Sequence, residues 1–204
     1  MAEEQPHWDQ RYTTGQTPWD SGQPSKQLLR VVESHGIAPC RMLELGCGSG
    51  TNAVVLAQRG FQVTAVDVSH VAVERARAKA KIEGAAIDFH VADIAALPPL
   101  GPPFDFVFDR GVYHHMRRAS LDPFLEALKR NTRAGSLYLT LAGSANERRP
   151  EEDGPPKVSE EQICRELSPL FELVELREFR FDGVVIEGHA VEPLAWSALW
   201  RRRG

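Results

Sequence analysis

Apolar positions along the chain alternate between two periods. Met42, Leu43 and Leu45 form a run too short for a helix, closed by glycine, which predicts a buried strand. Phe61 to Val66, the alternation Ile87, Phe89, Val91, the run Phe104 to Phe108 and the segment Ser136 to Leu141 predict four more strands. Helical spacing falls between them: from about Ser25 to Gly36, from the glycines after Leu45 to Gly60, from Ser69 to Gly84, from Ser120 to Thr132, and from Ser159 to Leu167. The first three end on a glycine, which takes the left-handed residue closing a helix without steric cost. Strands alternating with helices predict an α/β fold with a doubly wound, Rossmann-like, mostly parallel sheet.

The strand at Met42 runs into Glu44-Leu-Gly-Cys-Gly-Ser-Gly50, where glycines at 46, 48 and 50 let a ligand approach the main chain itself. A glycine-rich turn alone is a weak signal, and the acids around it add to it. Asp67 closes the second strand about one βα unit later, where a ribose would offer two hydroxyls. Asp67 also stands beside Ser69 at a helix start, although Ser69 can cap that helix unaided. Asp93 follows the third strand and reads either as an acceptor for an adenine amino group, with Ile94 packing on the ring, or as a turn residue.

Glu44, Asp67 and Asp93, taken with the glycines, resemble the nucleoside-binding half of class I S-adenosylmethionine-dependent methyltransferases. The resemblance implies seven mostly parallel strands, with the runs Phe171 to Phe181 and Ala190 to Trp200 closing the sheet as a C-terminal antiparallel hairpin. It also implies S-adenosylmethionine as cofactor, held by Glu44, Gly46, Gly48, Gly50, Asp67, Val68, Asp93 and Ile94. A nicotinamide-dependent oxidoreductase is the competing reading, against which the spacing of the third glycine speaks. A non-catalytic S-adenosylmethionine-binding protein is a further alternative.

Two of the four tryptophans, Trp8 and Trp19, lie in an N-terminal stretch otherwise too polar for a core. They read either as anchors for an arm or as aromatic faces for a sulfonium cation. Trp8, the Thr17-Pro-Trp-Asp20 sequence and Asp109-Arg110-Gly111 resemble the branch holding thiopurine, halide and thiocyanate, and tellurite-resistance methyltransferases. That likeness implies an arm and helix over residues 1–36 covering the site, with Trp8, Trp19 and Asp109 at the cofactor. Tyr12 is expected on the acceptor side.

Asp109 to Met116 follows the fourth strand at the carboxyl edge of the sheet, where ligands of open α/β folds bind. Arg110 reads as an active-site cation or as a partner of Asp109. His114 and His115 diverge by about 100° on a helix, which disfavours a shared metal. One of them, with His114 preferred, is the candidate base, and Tyr113, His115 and Met116 are candidate acceptor contacts. The charged, proline-rich stretch 143–158 reads as a lid or a solvated excursion.

Length and composition fit one domain over 1–204. The net charge of −4 offers no basic field for nucleic acid, and Arg201 to Arg203 are expected to be a solvated tail. Cys40, Cys47 and Cys164 make no CxxC pair, and neither a signal peptide nor a membrane-length apolar run occurs, so a cytoplasmic location with reduced thiols is expected. The expected reaction is methyl transfer to a small soft nucleophile: a thiol, hydrosulfide, halide or chalcogen oxyanion. The sequence leaves the oligomeric state open.

Overall fold

A computed structural model describes residues 8–148, 156–182, 184–186 and 189–204. Five strands run parallel: β1 (Arg41–Leu45), β2 (Gln62–Asp67), β3 (Ile87–Val91), β4 (Phe104–Arg110) and β5 (Thr132–Ser144). β6 (Lys157–Val158) pairs with the end of β5. β7 (Phe171–Arg180) and β10 (Leu194–Arg202) pair antiparallel, as expected of the closing hairpin, and β10 joins β5. The strand order is β3-β2-β1-β4-β5-β10-β7. The chain winds outward from β1 in one direction and from β4 in the other, so the cleft above their carboxyl ends is open to a ligand.

Strand period two sorts the apolar side chains onto two faces. Met42, Phe106, Phe108, Leu139 and Leu141 enter one core with α2 (Lys26–Ser34), α3 (Thr51–Gln58) and α4 (His70–Ile82). Leu43, Leu45, Val107, Tyr138 and Ala142 enter the other with α6 (Leu121–Asn131) and α7 (Glu160–Leu167). Ser25, Ser69 and Ser159 accept from backbone N–H groups at the starts of α2, α4 and α7. Gly36, Gly60 and Gly84 all have positive φ, as the sequence predicts.

Three expectations need correction. β5 is longer than Ser136 to Leu141, because β10 and β6 supply partners along its extra length. The last run starts at Leu194 rather than Ala190, since His189–Val191 instead pairs as β9 with β8 (Val184–Ile186). The arginine tail is pinned: Arg202 donates to the Leu170 carbonyl, and Arg203 to those of Ser168 and Phe171. No helix among the described residues is long and apolar enough to cross a membrane.

Candidate active site

The turn after β1 carries Gly46, Gly48 and Gly50 at φ of 66°, 54° and 77°. A Cβ at 46 would collide with the Val112 side chain, and one at 48 would lie 2.6 Å from the Tyr12 hydroxyl. The glycines are thus required by backbone conformation and by close packing together. Glu44 lies beneath the turn, 2% exposed, with Oε1 3.4 Å from Asn52 Nδ2 and Oε2 without a partner. Burial pushes its pKa up to about 8, and the neighbouring Asp67 charge adds to the shift. An orphaned buried carboxylate oxygen calls for a donor, and a cationic amino group suits it.

Asp67 accepts from Gly48 N at 2.8 Å through Oδ2 and from Ser69 N at 2.9 Å through Oδ1. Burial raises its pKa, against those two backbone donors. Each oxygen keeps a second lone pair, so the carboxylate can still receive two hydroxyls. Val68, next to it, leaves 49% of its surface open and offers an apolar face suited to an aromatic base. Asp93 is exposed, and its Oδ1 caps the short helical turn Ile94–Ala96. Ile94 itself is buried in the second core, so it supports this corner from beneath instead of presenting a face. Glu44, the glycine backbone, Asp67, Val68 and Asp93 fit a nucleoside carrying a cationic amino acid tail.

The N-terminal arm lies across this cleft. α1 (Trp8–Thr14) attaches at one end, where Asp9 Oδ1 accepts from Ser69 Oγ at 2.6 Å and from Val71 N at 3.2 Å. Farther along, Asp20 Oδ1 accepts from Ser49 Oγ at 2.8 Å, and Lys79 donates to that same Ser49 hydroxyl and to Thr51. Ser25 N donates to Asn52 Oδ1 at 2.9 Å. None of these latches was legible in sequence, since each joins residues far apart in the chain. Tyr12 is buried, and its hydroxyl accepts from Trp19 Nε1 at 3.3 Å. The rings of Trp8 and Trp19 meet edge-on at 5.6 Å, and Trp8 meets His115 at 5.4 Å. His115 in turn lies 4.8 Å from His114, which completes an aromatic wall from Gly48 to Gly111.

α5 (Val112–Ala119) begins at Gly111, in left-handed conformation, and it separates the candidates that follow β4. Asp109, expected at the cofactor, is instead fully buried and structural. Its Oδ1 accepts from Val112 N and Tyr113 N at 2.9 and 3.0 Å, and its Oδ2 from the Tyr138 hydroxyl at 2.6 Å. Burial pushes its pKa up to about 6, opposed by those donors. Tyr113 does not line the cleft either: it packs in the second core, and its hydroxyl donates to Glu166 Oε2 at 2.6 Å. Met116 packs against that same core. One helical turn carries both sets of side chains, and only its phase decides which reach the cleft.

Arg110 does not pair with Asp109. Its Nη1 donates to the Trp19 carbonyl and its Nη2 to the Asp182 carbonyl, both at 2.9 Å, and it stacks 4.9 Å from the Phe181 ring centroid. It therefore ties the arm to the turn after β7. His114 is buried, with Nδ1 accepting from Gly143 N at 2.9 Å, which leaves the proton of the neutral ring on Nε2. Burial, then the charges of His115 and nearby arginines, drives its pKa well below the usual histidine value. Packing under the arm pushes His115 down to about 4, with Arg11 and Arg118 adding to the effect. Among the described residues no three His, Cys, Asp or Glu side chains converge as a metal would need. Residues 149–155 of the expected lid lie outside the described residues.

Fold and site define a Rossmann-like protein with a nucleoside cleft under an aromatic arm. The family model that matches is described as a methyltransferase domain and covers residues 42–135. The chain is similar to 2-heptyl-1-hydroxyquinolin-4(1H)-one methyltransferase of Mycobacteroides abscessus, 29% identical over 147 residues. That match covers 72% of this chain and 64% of the relative, a little under two thirds of its length. A probable thiol methyltransferase of Arabidopsis thaliana is 28% identical over 173 residues, 83% of this chain and 75% of that protein. A solved structure concerned with the conversion of a disulfide bond into a thioacetal group during echinomycin biosynthesis superimposes with a TM-score of 0.81 at 27% identity, over 96% of this chain and 91% of that one. Residues 42–135 thus match a methyltransferase domain, and S-adenosylmethionine is the cofactor that the cleft fits.

Proposed function

We propose that the protein transfers the methyl group of S-adenosylmethionine to a small acceptor that arrives as a soft anion: a thiolate, hydrosulfide, halide or chalcogen oxyanion. The observation behind this is the state of the two histidines on the wall. His114 Nδ1 already accepts from Gly143 N, and the lowered pKa values of both rings make each a weak base. An acceptor that had to lose a proton in the site would find no ready base there among the described residues. When bound, the cofactor supplies a methyl group on a cationic sulfur. The chain's residues then align the acceptor, exclude water under the arm, and present His114 Nε2–H as a donor. Alignment of this kind can account for several kcal/mol of a displacement barrier. The similarity to a probable thiol methyltransferase supports sulfur as the acceptor atom. The hydroxyquinolinone relative supports a second reading, in which an acidic hydroxyl reacts as its oxyanion.

The pH dependence of kcat/KM tests this. With a series of thiols the rising limb is expected to follow each thiol's own pKa, and with iodide the profile should be flat through the neutral range. His114→Ala is expected to slow both acceptors alike. A fixed limb at one pH whatever the acceptor, lost in that variant, would instead identify a histidine base.

Asp67 is proposed to take the ribose hydroxyls. Asp67→Ala is expected to weaken S-adenosylmethionine binding by roughly ten- to a hundredfold, about 1.5 to 3 kcal/mol. Calorimetry showing wild-type affinity would remove Asp67 from the site.

A further inference from the structure

Arg11 has entered so far only as a charge acting on His115. Its guanidinium stacks 4.4 Å from the Trp19 ring centroid and 5.9 Å from that of Trp8, so the cation on the Trp19 face belongs to the chain itself. Its Nε donates to the Gln16 carbonyl at 3.2 Å, which fixes the plane of the fork. No carboxylate lies within ion-pair distance among the described residues, and neither Nη has a hydrogen-bond partner there. The other cations near the wall are satisfied differently. Arg117 pairs with Glu166, and Arg110 is filled by two carbonyls with Asp182 and Asp20 near enough to favour its charge. Partial burial lowers the Arg11 pKa, and only the Tyr12 hydroxyl opposes that. A guanidinium that is half out of water, oriented and without a counter-ion among the described residues can bind a planar anion through two parallel N–H donors.

We propose that Arg11 is a specificity-determining residue that binds a carboxylate of the acceptor, separate from the atom that is methylated. The separation follows from its place on the wall. Tyr12 over Gly48 and His114 beside Gly111 form the inner end, whereas Arg11 lies with Trp8 and His115 at the outer end. A guanidinium in contact with the reacting anion would lower its nucleophilicity; at the outer end it orients the acceptor without that cost. The preferred substrates are then mercapto acids or acidic heteroaromatics bearing a carboxylate. This rests on the acceptor reading above, and the test keeps the two apart.

The measurement is the ratio of kcat/KM for 4-mercaptobenzoate to that for thiophenol, in wild type, Arg11→Lys and Arg11→Gln. The wild-type ratio is expected to favour the carboxylated thiol. It should fall roughly ten- to a hundredfold in Arg11→Gln, the range for losing a charge-assisted bidentate contact, and less in Arg11→Lys. An unchanged ratio, even with both rates reduced, would reduce Arg11 to a packing residue of the arm and overturn the proposal. If wild type methylates neither thiol, the acceptor reading fails on its own. Arg11 is then judged by titrating benzoate into the complex with S-adenosylhomocysteine. Binding that weakens at least tenfold in Arg11→Gln supports the proposal, and binding that is absent or equal in both proteins overturns it.

Discussion

A chain lacking residues 1–22 is expected to fold, to bind S-adenosylmethionine poorly and to transfer no measurable methyl group. The sheet and both cores are built from residues after Ser25, so removing the arm takes away one buried side chain among those described, Tyr12. Above the cleft the loss is much larger. The anchors at Ser69 and Ser49 are left without acceptors, the Tyr12 hydroxyl leaves Gly48, and the aromatic wall keeps only its two histidines. Water then reaches a reaction in which an anion and a cation cancel, and hydration of the separated charges raises that barrier. Alignment and exclusion together are worth on the order of three powers of ten or more. Turnover above about 1% of wild type, in a truncated chain with a cooperative melting transition, would show that the arm only packs. Asp9→Ala and Asp20→Ala, which release one latch each, should fall between the extremes.

Asp109→Ala is expected to lower stability by about 3 kcal/mol, or melting by about 6 to 12 °C for a chain of this size. The reason is what the carboxylate leaves behind: two backbone N–H groups at the start of α5 and the Tyr138 hydroxyl, all donating into a closed core. Asp109→Asn keeps an acceptor for the helix and should lose much less. The two also differ in pH dependence. The folded pKa of Asp109, raised to about 6, lies above the unfolded value, so the folded state holds this proton more tightly. Its contribution is fully present below about pH 4 and is lost as pH rises through 6. The stability of wild type relative to Asp109→Asn should therefore decline between those limits. A constant difference across that window would mean that Asp109 ionises without penalty in the fold.

The sheet was legible because its signals are local. Apolar runs, serine caps and closing glycines place each element within a few residues, and Asp67 and the glycine turn follow from the same short-range grammar. The Asp109-Arg110-Gly111 motif shows where that grammar stops. All three residues matter, yet Asp109 supports α5 from inside, Arg110 fastens the arm to the turn after β7, and only Gly111 borders the wall. Motif likeness marks a position as constrained without telling which neighbour constrains it. His114 was found for its chemistry, but the Gly143 N–H that fixes its tautomer lies 29 residues away on a neighbouring strand. Arg11 was passed over for a related reason: an arginine in a polar segment looks solvated until the indole beneath it is seen.

The two-residue strand β6 has an evolutionary consequence. Gly143 and Ser144 face Lys157 and Val158 in register, Ala145 N donates to the Val158 carbonyl, and Lys157 reaches the Glu147 carbonyl. Trp196 Nε1 holds the Val158 carbonyl from the far side. The ends of β5 and β6 are therefore stapled together by described residues alone, and the entropic cost of joining two such points grows only slowly with the number of residues between them. Because Gly143 within the staple also orients His114, lineages in which the number of residues between the two paired strands changes inherit the position of that ring intact.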